Sequence, residues 1–373
     1  MAAEFSQCGS STSCPANVIS LGAKRPEQSW AHAGGIRIFL SLQLNLAMNR
    51  IQKFVSSALA SLLVFVASSA FSEPSLQDLL IEEISDYSWR NNPAASLIKI
   101  KTFLQKGARI DVKASGWDPL AAAIHAGRPD VVDLIIGKKH DVRKPVYSDD
   151  VTPLMLAMQL NTSDGAKRQV RHKIVASLLA AGADPNVMIT PINSALSDAA
   201  SYAGNIDLEL MKILLKNGAK PDFDVHHGRT ALFGASGNLD AVKLLLNAGA
   251  NPFTVSSYGG TPLHTVCNGS GKAGQPDPQA AERIKLLKNP KLDINAYAKN
   301  SNLEVPLASN IVYGNLDCIQ ALIDAGASVD VIYVDPALEE NKERLTVLQA
   351  AKKYYMGNKA MIGVLQKNSK TKK

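Results

Sequence analysis

One short phrase recurs along this chain: two large apolar residues, two variable ones, then Gly-Ala. It stands at Phe103 to Ala108, Leu178 to Ala183, Leu214 to Ala219, Leu245 to Ala250 and Leu322 to Ala327. Degenerate forms fill the intervals, at Ile135 to His140 and Leu286 to Pro290. The glycine has a physical reason. A helix that stops abruptly needs a residue in the left-handed region just past its end, and Gly takes that conformation without a Cβ penalty. Each phrase therefore reads as the stop of a short apolar helix. Self-similarity of this kind marks a chain whose units bury their apolar faces only by stacking on one another.

A second phrase precedes each stop. Its clear forms are Thr152-Pro153-Leu154, Thr190-Pro191-Ile192, Thr230-Ala231-Leu232 and Thr261-Pro262-Leu263-His264. Weaker forms are Asp118-Pro119-Leu120, Val305-Pro306-Leu307 and Thr346-Val347-Leu348. Thr or Asp caps a helix N-terminus, and Pro fits the first turn, where no amide hydrogen is needed. Ala-rich runs such as Leu120 to Ile124 follow, then Gly-Asn or Gly-Arg turns at Gly127-Arg128, Gly204-Asn205, Gly237-Asn238 and Gly314-Asn315, then a second helix such as Asp240 to Leu246. The unit is a capped helix, a turn, a second helix, a glycine stop and an extended connector.

This unit resembles the ankyrin repeat. Thr261 to His264 matches the family's Thr-Pro-Leu-His phrase completely, and Gly182-Ala183-Asp184-Pro185-Asn186 matches its repeat end. The resemblance implies an all-α solenoid of stacked helix pairs with hairpin-like connectors over residues 73–373. About seven units are recognisable, with a C-terminal cap at Leu345 to Asn368 and a basic tail at 367–373. The first unit, near Ser75, lacks the Thr-Pro phrase, has a long polar connection from Asp86 to Asn92, and reads as an N-terminal cap. Caps are expected because an inner repeat would leave an apolar face in water. Spacing departs from the family's roughly 33 residues. It is long from Pro153 to Pro191 and from Pro262 to Pro306, and short from Ala231 to Pro262. Loop growth between the two helices at Leu160 to Arg171 and Asn268 to Ala280 accounts for the long units; loss around Phe233 to Gly237 accounts for the short one.

The chain before residue 73 has a different character. Residues 1–47 are rich in Ser, Ala and Gly without periodicity and read as a non-structural upstream extension. Met48 to Lys53 is a short positive segment, Phe54 to Ala67 is apolar and uncharged, and Ala70-Phe71-Ser72 places small residues before Glu73. That layout reads residues 48–72 as a signal peptide, with the mature chain starting near Glu73 and no stable membrane insertion after cleavage. Cys267 and Cys318 remain in the mature part. The sequence leaves their pairing open; two buried thiols in neighbouring repeats is the simpler expectation.

The net charge of +7 is no nucleic-acid signature. Lys367, Lys370, Lys372 and Lys373 account for the excess left once residues before 73 are removed. Only 6% of residues are aromatic, which suits stacked Ala- and Leu-rich helices. No catalytic constellation emerges. Gly269-Ser270-Gly271-Lys272 lacks the leading Gly and the closing Ser or Thr of a phosphate loop. His226 and His227 adjoin Asp222 and Asp224, but neighbours in an extended segment point to opposite sides. His264 is structural in the resembled family. Asn161-Thr162-Ser163 and Asn268-Gly269-Ser270 fit the glycan acceptor pattern, which is common by chance. No cofactor, metal or enzymatic activity is expected.

The connectors are the candidate binding elements, as the resemblance implies a concave surface made by these fingers and the first helices. Fingers fall at Val142 to Val151, Val187 to Thr190, Phe223 to Arg229, Phe253 to Gly260, Ala296 to Asn302 and Val331 to Glu343. Tyr147, Met188, His226, Arg229, Tyr258, Tyr297 and Tyr333 are the candidate partner-binding residues, because aromatic and Arg side chains dominate protein interfaces. Phe223 and Phe253 are expected to pack back onto the next finger. The reading is a monomeric exported scaffold for a protein partner, periplasmic or secreted. A secreted effector acting on host proteins and a ligand-binding or enzymatic solenoid are the alternatives.

Overall fold

The computed structural model describes residues 73–147, 150–191, 193–201, 206–223, 228–257, 259–268, 276–288, 290, 293–295, 305–311, 315–334 and 344–370. Residues 1–72, including the expected signal segment, lie outside this set. So do the Gly269 to Lys272 loop and the His226-His227 pair.

Short helices come in successive pairs. The first is α1 (Leu76–Ser85) and α2 (Pro93–Gln105), joined by a 3-10 turn at Tyr87–Asn91 where the sequence suggested only a polar connection. Next come α3 (Pro119–His125) with α4 (Pro129–Gly137), and α5 (Pro153–Met158) with α6 (Gly165–Ala180). Then follow α7 (Ala195–Ala199) with α8 (Leu208–Lys216), and α9 (Ala231–Ala235) with α10 (Leu239–Asn247). In the sixth pair the first helix shrinks to a 3-10 turn, Pro262–Thr265, before α11 (Ala280–Leu287). The series ends with α12 (Pro306–Ile311) and α13 (Leu316–Asp324), then α14 (Val347–Tyr354) and α15 (Lys359–Lys367).

The first helices pack on one another: α1 on α3, α3 on α5, α7 on α9, α9 on the 262–265 turn, that turn on α12, and α12 on α14. The second helices form their own row from α4 through α6, α8, α10, α11 and α13 to α15. Between the rows lies one continuous apolar core. Leu120, Ala121, Ala122, Ala123 and Ile124 are all buried, and the Leu210, Leu214 and Leu245 side chains have no exposure. Alanines let first helices approach closely. The extreme is Gly234 on α9, where an added Cβ would sit 2.8 Å from the carbonyl oxygen of Ala200.

Local hydrogen bonds set where helices start. The Asp118 carboxylate accepts from the N–H groups of Leu120 and Ala121 at 2.8 and 3.3 Å. At Thr261, Nδ1 of His264 accepts the backbone N–H at 3.0 Å, so His264 is part of a cap. The second helices use Asp or Asn: Asp207, Asn238, Asn315 and Asn358 accept from the N–H three residues on, at 3.0 to 3.1 Å. One expectation fails here. Thr190-Pro191 caps no helix; Thr190 ends a strand, and Ser194 caps α7 through a capping box with Ser197. The cap had moved into a hairpin whose length the sequence did not reveal.

Helix stops follow the glycines. Gly107, Gly182, Gly218, Gly249 and Gly326 have φ of 108°, 94°, 92°, 92° and 106°. The Ala after each donates its N–H to the carbonyl five residues back, for example Ala108 to Phe103 and Ala250 to Leu245 at 3.0 and 2.9 Å. This double closure satisfies carbonyls that the helix end would orphan. In the degenerate second unit Lys139 occupies the left-handed position, with φ 66°.

After each stop the chain enters a finger. Hairpins are β1 (Met188–Thr190) with β2 (Asn193–Ser194), and β3 (Ile332–Val334) with β4 (Arg344–Thr346). A tighter one bridges Ala114 and Trp117 through Ser115 and Gly116, both at positive φ as a two-residue turn requires. Side chains bolt one finger base to the next: Asn186 Oδ1 accepts from Lys220 N–H at 2.8 Å, Asp222 from Asn251 N–H at 2.9 Å, and Asn295 Oδ1 from Ser328 N–H at 2.7 Å.

The expected loop growth at Leu160 to Arg171 is partly helix. Gly165 to Arg171 forms the first turns of α6, which runs 16 residues where α8 and α10 run 9. Asp164 caps it by accepting from Lys167 N–H at 2.8 Å, a start signal that the loop reading passed over.

Two substitutions test this geometry. Lys139→Gly should raise stability by about 0.5–1 kcal/mol by relieving a left-handed lysine. Gly234→Ala should lower it by about 1–3 kcal/mol by forcing α7 and α9 apart. Urea denaturation followed by far-UV circular dichroism reads both.

Candidate functional site

The fingers lie on one edge of the array and present apolar groups to solvent. Tyr147 is 55% exposed, Val255 56% and Phe253 36%, while Val112 and Ile332 are exposed to similar degrees as Phe253. Their own backbones hold these positions. In the second finger Val142 and Val146 are buried and Val146 N–H reaches Val151 O at 2.9 Å, leaving Tyr147 at the tip. In the fifth, Ser256 N–H reaches Gly260 O at 2.9 Å beside the exposed Val255.

Aromatic groups from two fingers and a first helix meet. The Trp117 ring centroid is 5.5 Å from that of Tyr147 and 5.2 Å from that of His125 at the end of α3. Trp117 packs partly on the core, so it anchors Tyr147 while leaving that ring accessible. Such tilted pairs contribute roughly 0.5–1.5 kcal/mol beyond area burial. Tyr147 thus has a structural contact and a free face together.

The other candidates divide. Arg229 is exposed, with its guanidinium 5.9 Å from the ring of the buried Phe233. Met188 is half-buried in β1. Tyr333 lies in β3 opposite Leu345, and its side chain is outside the described residues. His226, Tyr258 and Tyr297 are also outside them. Phe223 is half-buried and Phe253 is 36% exposed. Asn251 holds that finger, its N–H on Asp222 at 2.9 Å and its Oδ1 accepting from Phe253 N–H at 3.0 Å. Trp117, His125, Val255 and Ile332 were missed. Trp117 directly precedes the Asp118 cap, a position that marks a finger's return strand.

The opposite edge, where first helices turn into second helices, has another chemistry. Charged groups are buried there, and several bridge neighbouring units. Arg128, with no exposure, donates to Ser96 Oγ at 2.8 Å and Asp130 Oδ2 at 3.0 Å, and its guanidinium lies 4.9 Å from the Trp89 ring centroid. Arg171 and His172 on α6 each reach Asp207 Oδ2 at 2.8 Å. Burial opposes ionisation of Asp207, yet hydrogen bonds from His172, Leu210 N–H and Arg171 hold its carboxyl below the ordinary 3.8. Burial pushes the nearby Asp198 carboxyl up, with Arg171 opposing. Arg283, also buried, holds Asp277 at 2.9 and 2.5 Å.

Cys267 and Cys318 form a disulfide, with Cα atoms 5.7 Å apart and both residues buried. This corrects the expectation of two separate thiols. The pair sits in neighbouring repeats, but at facing positions: one directly after the 262–265 turn, the other in the first turn of α13. Closing a loop across 51 residues restricts the unfolded chain by roughly 4 kcal/mol in the chain-entropy account.

Among the described residues no group of three or more His, Cys, Asp or Glu is placed to hold a metal ion. No described helix is long and apolar enough to cross a membrane.

Stacked helix pairs with glycine stops and finger hairpins define a repeat scaffold for protein–protein interaction. The chain carries ankyrin repeats: a protein-family model described as "Ankyrin repeats (3 copies)" matches residues 165–256 and 196–296. It is 29% identical over 196 residues to human SH3 and multiple ankyrin repeat domains protein 2, covering 50% of this chain and 10% of that one. It is 26% identical over 189 residues to human transient receptor potential cation channel subfamily A member 1, covering 48% of this chain and 15% of that one. The alignments thus span a small part of either relative's length. The crystal structure of the human ASB11 ankyrin repeat domain aligns with a TM-score of 0.45 at 20% identity, covering 66% of this chain and 97% of that chain.

Asp207 gives a test of the buried edge. Its folded-state carboxyl titrates below 3.8, so its contribution is complete above that value and is lost as acid carries pH down through the folded-state value. Asp207→Asn keeps the cap but removes the charge between Arg171 and His172. It should cost about 2–4 kcal/mol at pH 7 and flatten the acid-side fall, read as denaturation midpoints at pH 7 and pH 3.

Proposed function

We propose that this chain is an exported ankyrin scaffold that captures a partner protein along its finger edge and the adjoining first helices. The observation that carries this reading is the apolar tips: Tyr147 anchored on Trp117, then Phe253, Val255 and Ile332 on further fingers of the same edge. Exposed apolar groups held by a rigid frame bury much area on docking at little entropic cost. A stacked array adds a small rotation per repeat, which makes this edge and its first helices a concave surface. On this reading the chain binds rather than catalyses, acts as a monomer and takes a protein as its partner.

Export rests on the sequence of residues 48–72, and the proposed location is the periplasm or the secreted space. The buried Cys267–Cys318 bond supports it, because structural disulfides persist in oxidising compartments.

Two measurements bear on this. Edman sequencing of exported protein should place the N-terminus near Glu73; an intact Met1 in exported material refutes the processing step. For binding, partners captured by the chain are identified by mass spectrometry. The paired variant Tyr147→Ala and Val255→Ala should then weaken capture at least about tenfold, while stability falls by no more than the roughly 0.5–1.5 kcal/mol of the lost Tyr147–Trp117 contact. Full capture by that variant would remove the finger edge from the interface.

A further inference from the structure

The junction between the sixth and seventh helix pairs is built unlike the others. Its first element is a 3-10 turn of 4 residues, Pro262–Thr265, against a helix of 7 residues at α3. The following helix, α11, starts at Gln279 with no side-chain cap. Polar groups close the gap. Asn310, fully buried, accepts from Cys267 N–H at 2.9 Å and donates to Leu263 O and Pro306 O at 3.0 and 2.7 Å. Arg283 grips Asp277, and Asp277 N–H donates to Asp317 Oδ2 at 2.6 Å. Buried ion pairs of this kind fix a geometry but add little net stability, because desolvation offsets their attraction. The covalent bond from Cys267 to Cys318 crosses this same seam.

We infer that oxidation of Cys267 and Cys318 gates the folding of the C-terminal part of the array, from the Pro262–Thr265 turn to α15. Repeat arrays hold together only through nearest-neighbour interfaces, and a sixth pair made of a 4-residue 3-10 turn and a helix without a side-chain cap has little stability of its own, so the bond that ties it to the seventh pair decides whether the chain folds as one block or two. With free thiols the first five pairs form, while the junction and the pairs beyond it remain open. Oxidation closes the seam and completes the array. Both cysteines are buried in the finished fold, at 1% and 0% exposure, so an oxidant must act before the seam shuts.

The step is a two-electron oxidation by a thiol–disulfide oxidant, a protein or small molecule carrying a reactive disulfide. The Cys267 thiolate attacks that disulfide and expels one of its sulfurs as thiolate. The Cys318 thiolate then attacks the mixed bond at the Cys267 sulfur and expels the second. The chain loses two electrons and two protons, and the oxidant leaves as a dithiol, or as two thiols where its sulfurs belong to separate molecules. Which of the two cysteines attacks first does not alter the balance.

The experiment refolds the full purified chain with oxidised glutathione or with dithiothreitol and follows limited proteolysis by mass spectrometry. A parallel Cys267→Ala, Cys318→Val variant keeps the site apolar and removes only the bond. The expected result is cleavage between Ser257 and Val305 about a hundredfold faster or more without the bond. The Ser75 to Ala250 part should stay protected and keep its helical circular dichroism. Equal protection of the seam with and without the bond would overturn the proposal. So would loss of helix throughout the chain, which would make the bond a requirement of the whole fold. Because each readout uses purified chain alone, failure here leaves the export and partner-binding reading untouched.

Discussion

Helices of 5 to 9 residues cannot hold their own hydrogen bonds in water, since nucleation costs more than so few bonds return. Nor does one pair of them enclose a core. The structure therefore depends on burial between pairs, and everything else serves to bring each pair into register with the next. The left-handed glycine at Gly107, Gly182, Gly218, Gly249 and Gly326 ends the second helix at a fixed point, and the Ala that follows ties its amide back five residues. Only after such a stop does the chain leave at the same angle each time, so that Leu210, Leu214 and Leu245 fall between neighbouring rows.

This explains what was legible in the sequence. Glycine stops and Asp or Asn caps are backbone requirements, met within a few residues, and they carry their own signature. The Thr190-Pro191 phrase shows where that logic ends. It has the composition of a cap but sits in a hairpin, and the actual cap at Ser194 follows once the strand has returned. Hairpin length is set by pairing between strands, which a cap motif does not report. The same holds for Asp164, whose capping of α6 turned an apparent loop into helix. Cys267 and Cys318 illustrate a third limit: their meeting depends on how the sixth and seventh pairs stack, across 51 residues, and no local pattern encodes it. At the candidate site, Tyr147 was visible as an aromatic tip, but its partner Trp117 belongs to a different finger.

The two edges of the array solve different problems. At the turn edge, Arg128 and Arg283 are buried, and Arg171 is mostly covered, against carboxylates, hydroxyls and carbonyls. An arginine taken out of water is tolerated only in the one arrangement that satisfies it, so a slipped stacking register would leave an unpaired charge. These contacts select a register rather than drive assembly. Apolar burial, which has no directional preference, supplies the drive.

At the finger edge the constraint is reversed. Asn186, Asp222 and Asn295 bolt the finger bases together through backbone amides, so the stack is held at these bases without relying on every tip side chain. Val255, 56% exposed, consequently adds little to the stack even though its backbone position is fixed. That separation permits a binding edge to change its side chains without changing its shape. Tyr147 departs from it, since its ring also rests on Trp117. A substitution there removes a contact within the scaffold along with any contact to a partner, whereas one at Val255 removes only the second. The difference between those two positions is the most direct measure of how far this edge has been freed from the fold that carries it.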